Sequence, residues 1–109
     1  MRAETLKGHL DGILLAVLEP EPRHGYAIME ALRVRSGGQV DLPTGTVYPA
    51  LHRLEKQKWI AAAWKISENN QRAKYYRLTA TGKRQLTKER SKWAQLSDAI
   101  AGVLHPEQR

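Results

Sequence analysis

A chain of 109 residues holds one modest hydrophobic core rather than two, and an apolar share of 41% argues against wholesale disorder. With no cysteine, disulfides and thiolate chemistry are excluded, and the cytoplasm is the default compartment. The net charge of +7 is unevenly placed: residues 52–92 carry twelve Lys or Arg against three Asp or Glu, a net of +9, while the remainder nets −2. Such a concentration suits a polyanion, either nucleic acid or an acidic membrane surface, although charge runs are also ordinary solvated faces.

The chain opens on Arg2, Glu4 and Lys7, and its longest purely apolar run, residues 13–18, falls far short of a membrane span. No signal peptide and no membrane segment are expected. Leu10, Ile13, Leu14, Val17 and Leu18 recur at spacings of three and four, which predicts a first helix over 9–18. Pro20 and Pro22 stop it. A second helix is expected over 24–35 with Ile28, Met29 and Leu32 as its buried stripe. Ser36-Gly37-Gly38 ends it, and a connector runs to Pro43.

The next segment, TGTVYPALHRLEKQKWI at 44–60, places Val47, Leu51 and Leu54 on one apolar face. Pro49 is tolerated in a first turn, where backbone N–H groups lack partners anyway. A third helix is therefore expected to begin near Thr46, flanked by Thr44 or Gly45 as cap. Its outward face carries Thr46, Tyr48, Pro49, His52, Arg53 and Lys56. Unpaired amides at a helix N-terminus favour phosphate, and the hydroxyls and cations that follow suit a groove of DNA.

Beyond this helix the period drops from 3.6 to 2. Ile60, Ala62, Trp64 and Ile66 alternate with Ala61, Ala63 and Lys65, predicting a strand. Asn69-Asn70 supply a hairpin turn, and the return strand is KYYRL at 74–78, whose Tyr75 and Tyr76 must point to opposite faces. Three helices followed by a basic hairpin is the order of a winged helix-turn-helix, so the expected fold is mainly α with a small β-hairpin. Lys65, Arg72 and Lys74 lie on or near the wing.

A last helix is expected to start after Thr79 as N-cap. Its apolar seam runs through Leu86, Trp93, Leu96, Ile100 and Val103, partly at heptad spacing and interrupted by Glu89. Such a seam needs a partner, either the chain's own domain or a second copy. A homodimer is preferred because its two-fold symmetry doubles a DNA footprint. The organisation predicted is a DNA-binding unit over 1–79, a dimerisation helix over 80–104 and a tail over 105–109.

By these segments the sequence resembles the PadR family of bacterial transcriptional regulators over nearly its whole length. ILLAVLEPEPRHGYAIMEAL is similar to the family's opening helices, TGTVYPALHRLEKQKWI to its recognition helix, and RAKYYRLTATGKRQL to its wing exit and the start of its dimerisation helix. The resemblance implies a dimeric winged helix-turn-helix repressor, in many members released from DNA by a small molecule. It implies DNA reading by Thr44, Thr46 and Tyr48, with support from Arg72 and Lys74. It also implies that Trp93, on a short C-terminal helix like that of the compact members, could meet its mate across the dimer and stack a planar effector. Lys58 departs from the pattern, since family members often have Gly there to take the positive φ that ends a helix.

Several of these residues have a plainer reading. Tyr26, Trp59 and Trp64 are expected as core or interface packing, and Arg53 could pair with Glu30 or Glu55 instead of touching DNA. An enzyme is not expected: no cysteine nucleophile, Gly-rich phosphate loop or paired-histidine spacing occurs, and His9, His24, His52 and His105 stand singly. No cofactor or metal is called for. The full set of expected DNA contacts is Thr44, Thr46, Tyr48, His52, Arg53, Lys56, Arg72 and Lys74, on double-stranded DNA. The expected effector and dimer surface is Leu86, Trp93, Leu96 and Ile100, open to a small planar or apolar molecule. Two alternatives stay open: a winged-helix module that binds an acidic protein, and a dimer that sequesters a ligand.

Overall fold

Three helices, a hairpin and a fourth, long helix follow one another in the computed structural model, which describes residues 1–108. The elements are α1 (Leu10–Leu18), β1 (Arg23–His24), α2 (Gly25–Arg35), α3 (Thr44–Lys56), β2 (Ile60–Ile66), β3 (Arg72–Leu78) and α4 (Ala80–Leu104). Short 3-10 turns lie at Ala3–Leu6 and Pro106–Gln108, so part of the expected tail is ordered as a turn. Arg109, its last residue, lies outside the described residues.

Because α1 is sandwiched by α2, α3, β3 and α4, it buries Leu14, Leu15, Val17 and Leu18 around most of its circumference. Ile28 of α2, Leu51 and Leu54 of α3, Ile60 of β2 and Leu86 of α4 complete the centre of the core. Each such fully buried side chain contributes about 1.5–3 kcal/mol through the hydrophobic effect.

The sheet is antiparallel in the order β1-β3-β2, with Ile60 opposite Leu78 and Ile66 opposite Arg72. Its third strand, β1, is a two-residue addition that alternation cannot reveal: Arg23 pairs with Tyr76 and His24 with Tyr75. The return strand starts at Arg72, two residues before the expected boundary, because its first residues find partners on β2. Asn70 adopts φ +57° at the tip, and Ser67 and Gln71 close the turn with a 2.7 Å backbone bond. As the strand geometry requires, Tyr76 is buried while Tyr75 on the other face is only half-buried.

Two helices end alike on different residues. After α2, Gly37 takes φ +64°, with Gly37 N–H bonded to Val34 and Gly38 N–H to Arg33. After α3, Lys58 takes φ +63°, with Lys58 N–H on Glu55 and Trp59 N–H on Leu54. Both are the paired-bond termination in which glycine is favoured, and a side chain there costs about 1–2 kcal/mol. Lys58 is held in place from across the fold. The Thr79 hydroxyl donates to the Lys58 carbonyl at 2.7 Å, and Thr79 N–H donates to Trp59 at 3.1 Å. The same hydroxyl accepts from Gly82 N–H at 3.0 Å, capping α4 as expected. Gly82 must be glycine for room, since a Cβ would run into the Trp59 carbonyl.

One expectation about α3 is corrected. The helix begins at Thr44 with Pro43 as N-cap, which puts Pro49 in the second turn and not the first. The carbonyl four residues back, that of Gly45, loses its ladder bond, but Gly45 and Pro49 are both exposed and water can serve it. The core readings of Tyr26 and Trp64 are corrected too, since they are 71% and 57% exposed, whereas Trp59 packs against the core. Leu86, expected on the outer seam, is 2% exposed inside the protomer.

Candidate nucleic-acid interface

Spacing by four lines up Thr44, Tyr48, His52 and Lys56 along the outer side of α3, opposite the buried Val47, Ala50, Leu51 and Leu54. All four are exposed and none is acidic, while Thr46, on the other flank of the helix, is half-buried. No side chain caps the first turn, so the leading amides of Thr44 and Gly45 face outward with the positive end of the helix dipole. The stripe therefore offers, in order, backbone donors, hydroxyls, an imidazole and a cation.

Tyr48 is the best-defined member. Its ring reaches across to the start of α2 and lies over Gly25, where any Cβ would collide with the phenol. Gly25 thus leaves room for the phenol in this position, which a Cβ would displace. His24 just before it caps α2 by accepting from Ala27 N–H at 3.2 Å, and its ring meets Tyr75 edge-on at 5.3 Å.

The wing faces this stripe across a cleft of about 710 Å³, lined by Tyr26, Tyr48, Trp64, Gln71, Arg72 and Lys74 among others. Lys74 lies over the Tyr76 ring at 5.4 Å and bonds Glu55 of α3 at 3.2 Å, bracing the wing against the helix. Burial, the largest influence on Tyr76, pushes its phenol above the ordinary value, with Lys74 pulling weakly the other way. The Arg72 guanidinium stacks on Trp64 at 4.7 Å from the ring centroid. Arg53, by contrast, is held by Asp11 of α1 in an ion pair. Neither Glu30 nor Glu55 is its partner, because Glu30 pairs with Arg33 and Glu55 with Lys74.

The expected DNA-binding residues are accordingly brought together in two ways. Thr44, Tyr48, His52 and Lys56 share one stripe of α3, with Tyr48 across the cleft from Arg72; Thr46 lies on the other flank, and Arg53 and Lys74 also carry internal ion pairs. Chain reading missed Gly25 and Asp11 and gave Glu55 the wrong partner, since their roles come from contacts across the fold. Trp64 could have been found as an aromatic interleaved with cations on a basic hairpin.

A second recess of about 270 Å³ lies between α1 and α4, lined by His9, Gly12, Ile13, Leu86, Glu89 and Trp93 among others. Gly12 permits the close approach, since a Cβ there would stand 3.0 Å from that of Glu89. Trp93 meets His9 edge-on at 5.3 Å, and Arg90 grips Glu19 at the end of α1 with bonds of 2.8 and 3.1 Å. That hydrogen-bonded guanidinium holds the Glu19 carboxyl below its usual value. Leu96 and Ile100 continue the stripe outward, exposed. Among the described residues no cluster of His, Cys, Asp or Glu could hold a metal ion, and no helix is long and apolar enough to cross a membrane.

Residues 14–88, from the middle of α1 to the first turns of α4, match the transcriptional regulator PadR-like family. The chain belongs to that family. It is a transcription regulator of the winged helix type and not an enzyme. A Streptococcus transcriptional regulator is similar at 30% identity and a TM-score of 0.82, covering 95% of this chain and all of its own. A PadR-like transcriptional regulator from Bacillus cereus is 29% identical with a TM-score of 0.82, covering 94% of this chain and 98% of that one. An uncharacterized protein of Lysinibacillus sphaericus is 31% identical over 100 residues, 92% of each chain. In this PadR-like chain the family match spans the whole wing and α3, and it stops before Trp93, Leu96 and Ile100.

Proposed function

We propose that this PadR-like regulator is a cytoplasmic, homodimeric repressor that binds double-stranded DNA in a sequence-specific way. The observation that carries the reading is the acid-free stripe of Thr44, Tyr48, His52 and Lys56, set beside a cleft whose far wall holds Arg72 and Lys74. A helix of that kind lies in a major groove, with its leading amides, Thr46 and the Tyr48 hydroxyl at its N-terminal end and His52 and Lys56 further along. The wing then flanks the adjoining backbone. The alternative of an acidic protein partner does not account for hydroxyls and open amides at the head of the stripe.

Two copies pair through the exposed stripe of α4, which sets the separation of the two α3 helices. Successive major grooves on one face of DNA lie about 34 Å apart. A small planar or apolar effector enters the recess of His9, Leu86 and Trp93 and favours a different α4 pairing, so that operator and effector weaken one another's binding reciprocally.

The test is a fluorescence-anisotropy titration of the protein against the DNA upstream of its own coding sequence, with a scrambled fragment as control, across a salt series. Binding to the native fragment about a thousandfold tighter than to the control is expected. Equal, salt-sensitive binding to both would count against sequence-specific regulation at that DNA. Tyr48→Ala should weaken operator binding while sedimentation shows an intact dimer, and unchanged affinity would remove α3 from the interface.

A further inference from the structure

The outer face of α3 has two flanks, and a carboxylate stands at one of them. Thr44, Tyr48, His52 and Lys56 run along the flank towards the wing cleft, whereas Thr46 and Arg53 lie on the flank towards α1. Pro49, exposed between the two rows, leaves Arg53 at the border of the face offered to DNA. The Arg53 guanidinium is half-exposed, yet it is bound by Asp11 in the first turn of α1. Among the described residues no other carboxylate pairs with it. The core already fastens the two helices, since Leu51 and Leu54 of α3 are wholly buried in one cluster with Leu14 and Leu15 of α1. An ion pair this open to water adds little to that. It decides what Arg53 touches more than it holds the fold.

The surroundings of the pair are balanced in charge. A recess of about 500 Å³ there is lined by Lys7, Arg53 and Lys92 against Glu4, Asp11 and Glu89. Glu89 faces Lys92 at 3.8 Å and Glu4 faces Arg2 at 3.5 Å, which leaves Asp11 to neutralise Arg53. A guanidinium released from that carboxylate, on the border of a groove-binding face, has a phosphate as its natural partner. We infer that Asp11 withholds Arg53 from DNA and so keeps one phosphate contact out of the complex. Asp11 is a positioning residue: it acts through Arg53, and it lowers affinity for every duplex alike, because phosphate contacts carry no sequence. Discrimination is thereby left to the stripe of Thr44, Tyr48, His52 and Lys56. This role of Asp11 rests on the DNA-binding reading above and concerns residues outside that stripe.

The experiment titrates the full chain, across a salt series, against a duplex it selects from a random library and against a scrambled duplex. Asp11→Asn should bind both more tightly, with a log–log salt slope steeper by about one. Its advantage over wild type should therefore grow about fourfold as salt falls from about 200 to about 50 mM. Arg53→Gln alone should change little, since that cation is already engaged. In the Asp11→Asn background, Arg53→Gln should remove the whole gain. Glu4→Gln takes a negative charge from the same recess without freeing Arg53, and it should leave the slope unchanged. Asp11→Ala is a second route to the same gain, and melting curves of all the variants confirm that each is folded.

Slopes of Asp11→Asn and Asp11→Ala equal to that of wild type overturn the inference. So does a gain that survives Arg53→Gln, or one that Glu4→Gln matches, because net charge alone then explains it. A slope shallower by about one on Arg53→Gln in the wild-type background places Arg53 on a phosphate already, and overturns it as well. Selection of no preferred duplex defeats the specific DNA-binding reading, while the same variants on scrambled DNA still judge Asp11. Absence of binding to any DNA removes both.

Discussion

The two halves of α4 obey the same apolar periodicity and meet opposite fates. Up to Glu89 the helix is part of the protomer, with Gly82 and Leu86 buried and Thr79 tying its start to the end of α3. From residue 91 to residue 100 every position is exposed, and Trp93, Leu96 and Ile100 stand on the surface beside Val103 and Leu104. The change comes where α4, running antiparallel to α1, passes the N-terminal end of that helix: Lys92 bonds the Gly8 carbonyl at 3.0 Å and Trp93 meets His9, and beyond them α4 outruns α1. A helix rises about 1.5 Å per residue, so a 25-residue helix outruns a 9-residue one by some 24 Å. Periodicity reports that a stripe needs a cover. Which cover it gets is a matter of length and neighbours.

If that division is right, substitutions in the two halves act on different equilibria. Leu86→Ala should lower the unfolding free energy by about 2–5 kcal/mol, by leaving a cavity in the core. Urea denaturation at fixed protein concentration reads this directly, and a loss under 1 kcal/mol would place Leu86 outside the essential core. Ile100→Glu should instead leave the fold intact, by circular dichroism, and weaken a dimer by about 1.5–3 kcal/mol per protomer side chain removed from apolar burial. Analytical ultracentrifugation across a dilution series tests it. An unchanged sedimentation profile would deny the outer half a role in pairing.

Lys58 sharpens the comparison at the base of α4. Gly37 and Lys58 share one backbone conformation, so Lys58→Gly should stabilise the chain by about 1 kcal/mol, and Gly37→Lys should destabilise it similarly. A melting temperature unmoved by both would show that the positive φ carries no strain in this context. The smallest effect belongs to the boundary pair. Glu19 has its carboxyl held low by Arg90, so its contribution is present above the ordinary value of 4.5 and is lost as pH falls through the depressed folded value. Comparing wild type with Glu19→Gln between pH 7 and 3 should give a stability difference of at most a few tenths of a kcal/mol at neutral pH, since the pair is exposed. That difference should vanish in acid. A difference that grows in acid would reverse the assignment.

The elements that were legible along the chain are those made by near neighbours. Spacings of three and four marked α1, α2 and α4, alternation marked β2, and Thr79 and Ser36-Gly37-Gly38 marked helix ends. The boundary of α3 was misjudged because the rule for proline was applied without the exposure that relaxes it at Gly45. β1 went unseen because two residues have no period, and only their pairing with Tyr75 and Tyr76 makes them a strand. Of the two packing roles expected of Trp64, core and interface, the core one fails because its strand runs out past the core.

The candidate interface divides in the same way. The sequence alone determined which face of α3 could not be core, since Val47, Leu51 and Leu54 claim the other side, and it determined that positive charge gathers over 52–92. Only the tertiary structure decided how those cations are used. Arg53 is drawn to Asp11, 42 residues away, Lys74 braces Glu55, and Arg72 is left on the face of Trp64. Only the fold, too, laid Tyr48 over Gly25. The physical reason is range. Periodicity, capping and turn geometry act over a few residues and are written where they act, while ion pairs, stacking and steric clearance depend on surfaces that come together only when the chain has folded.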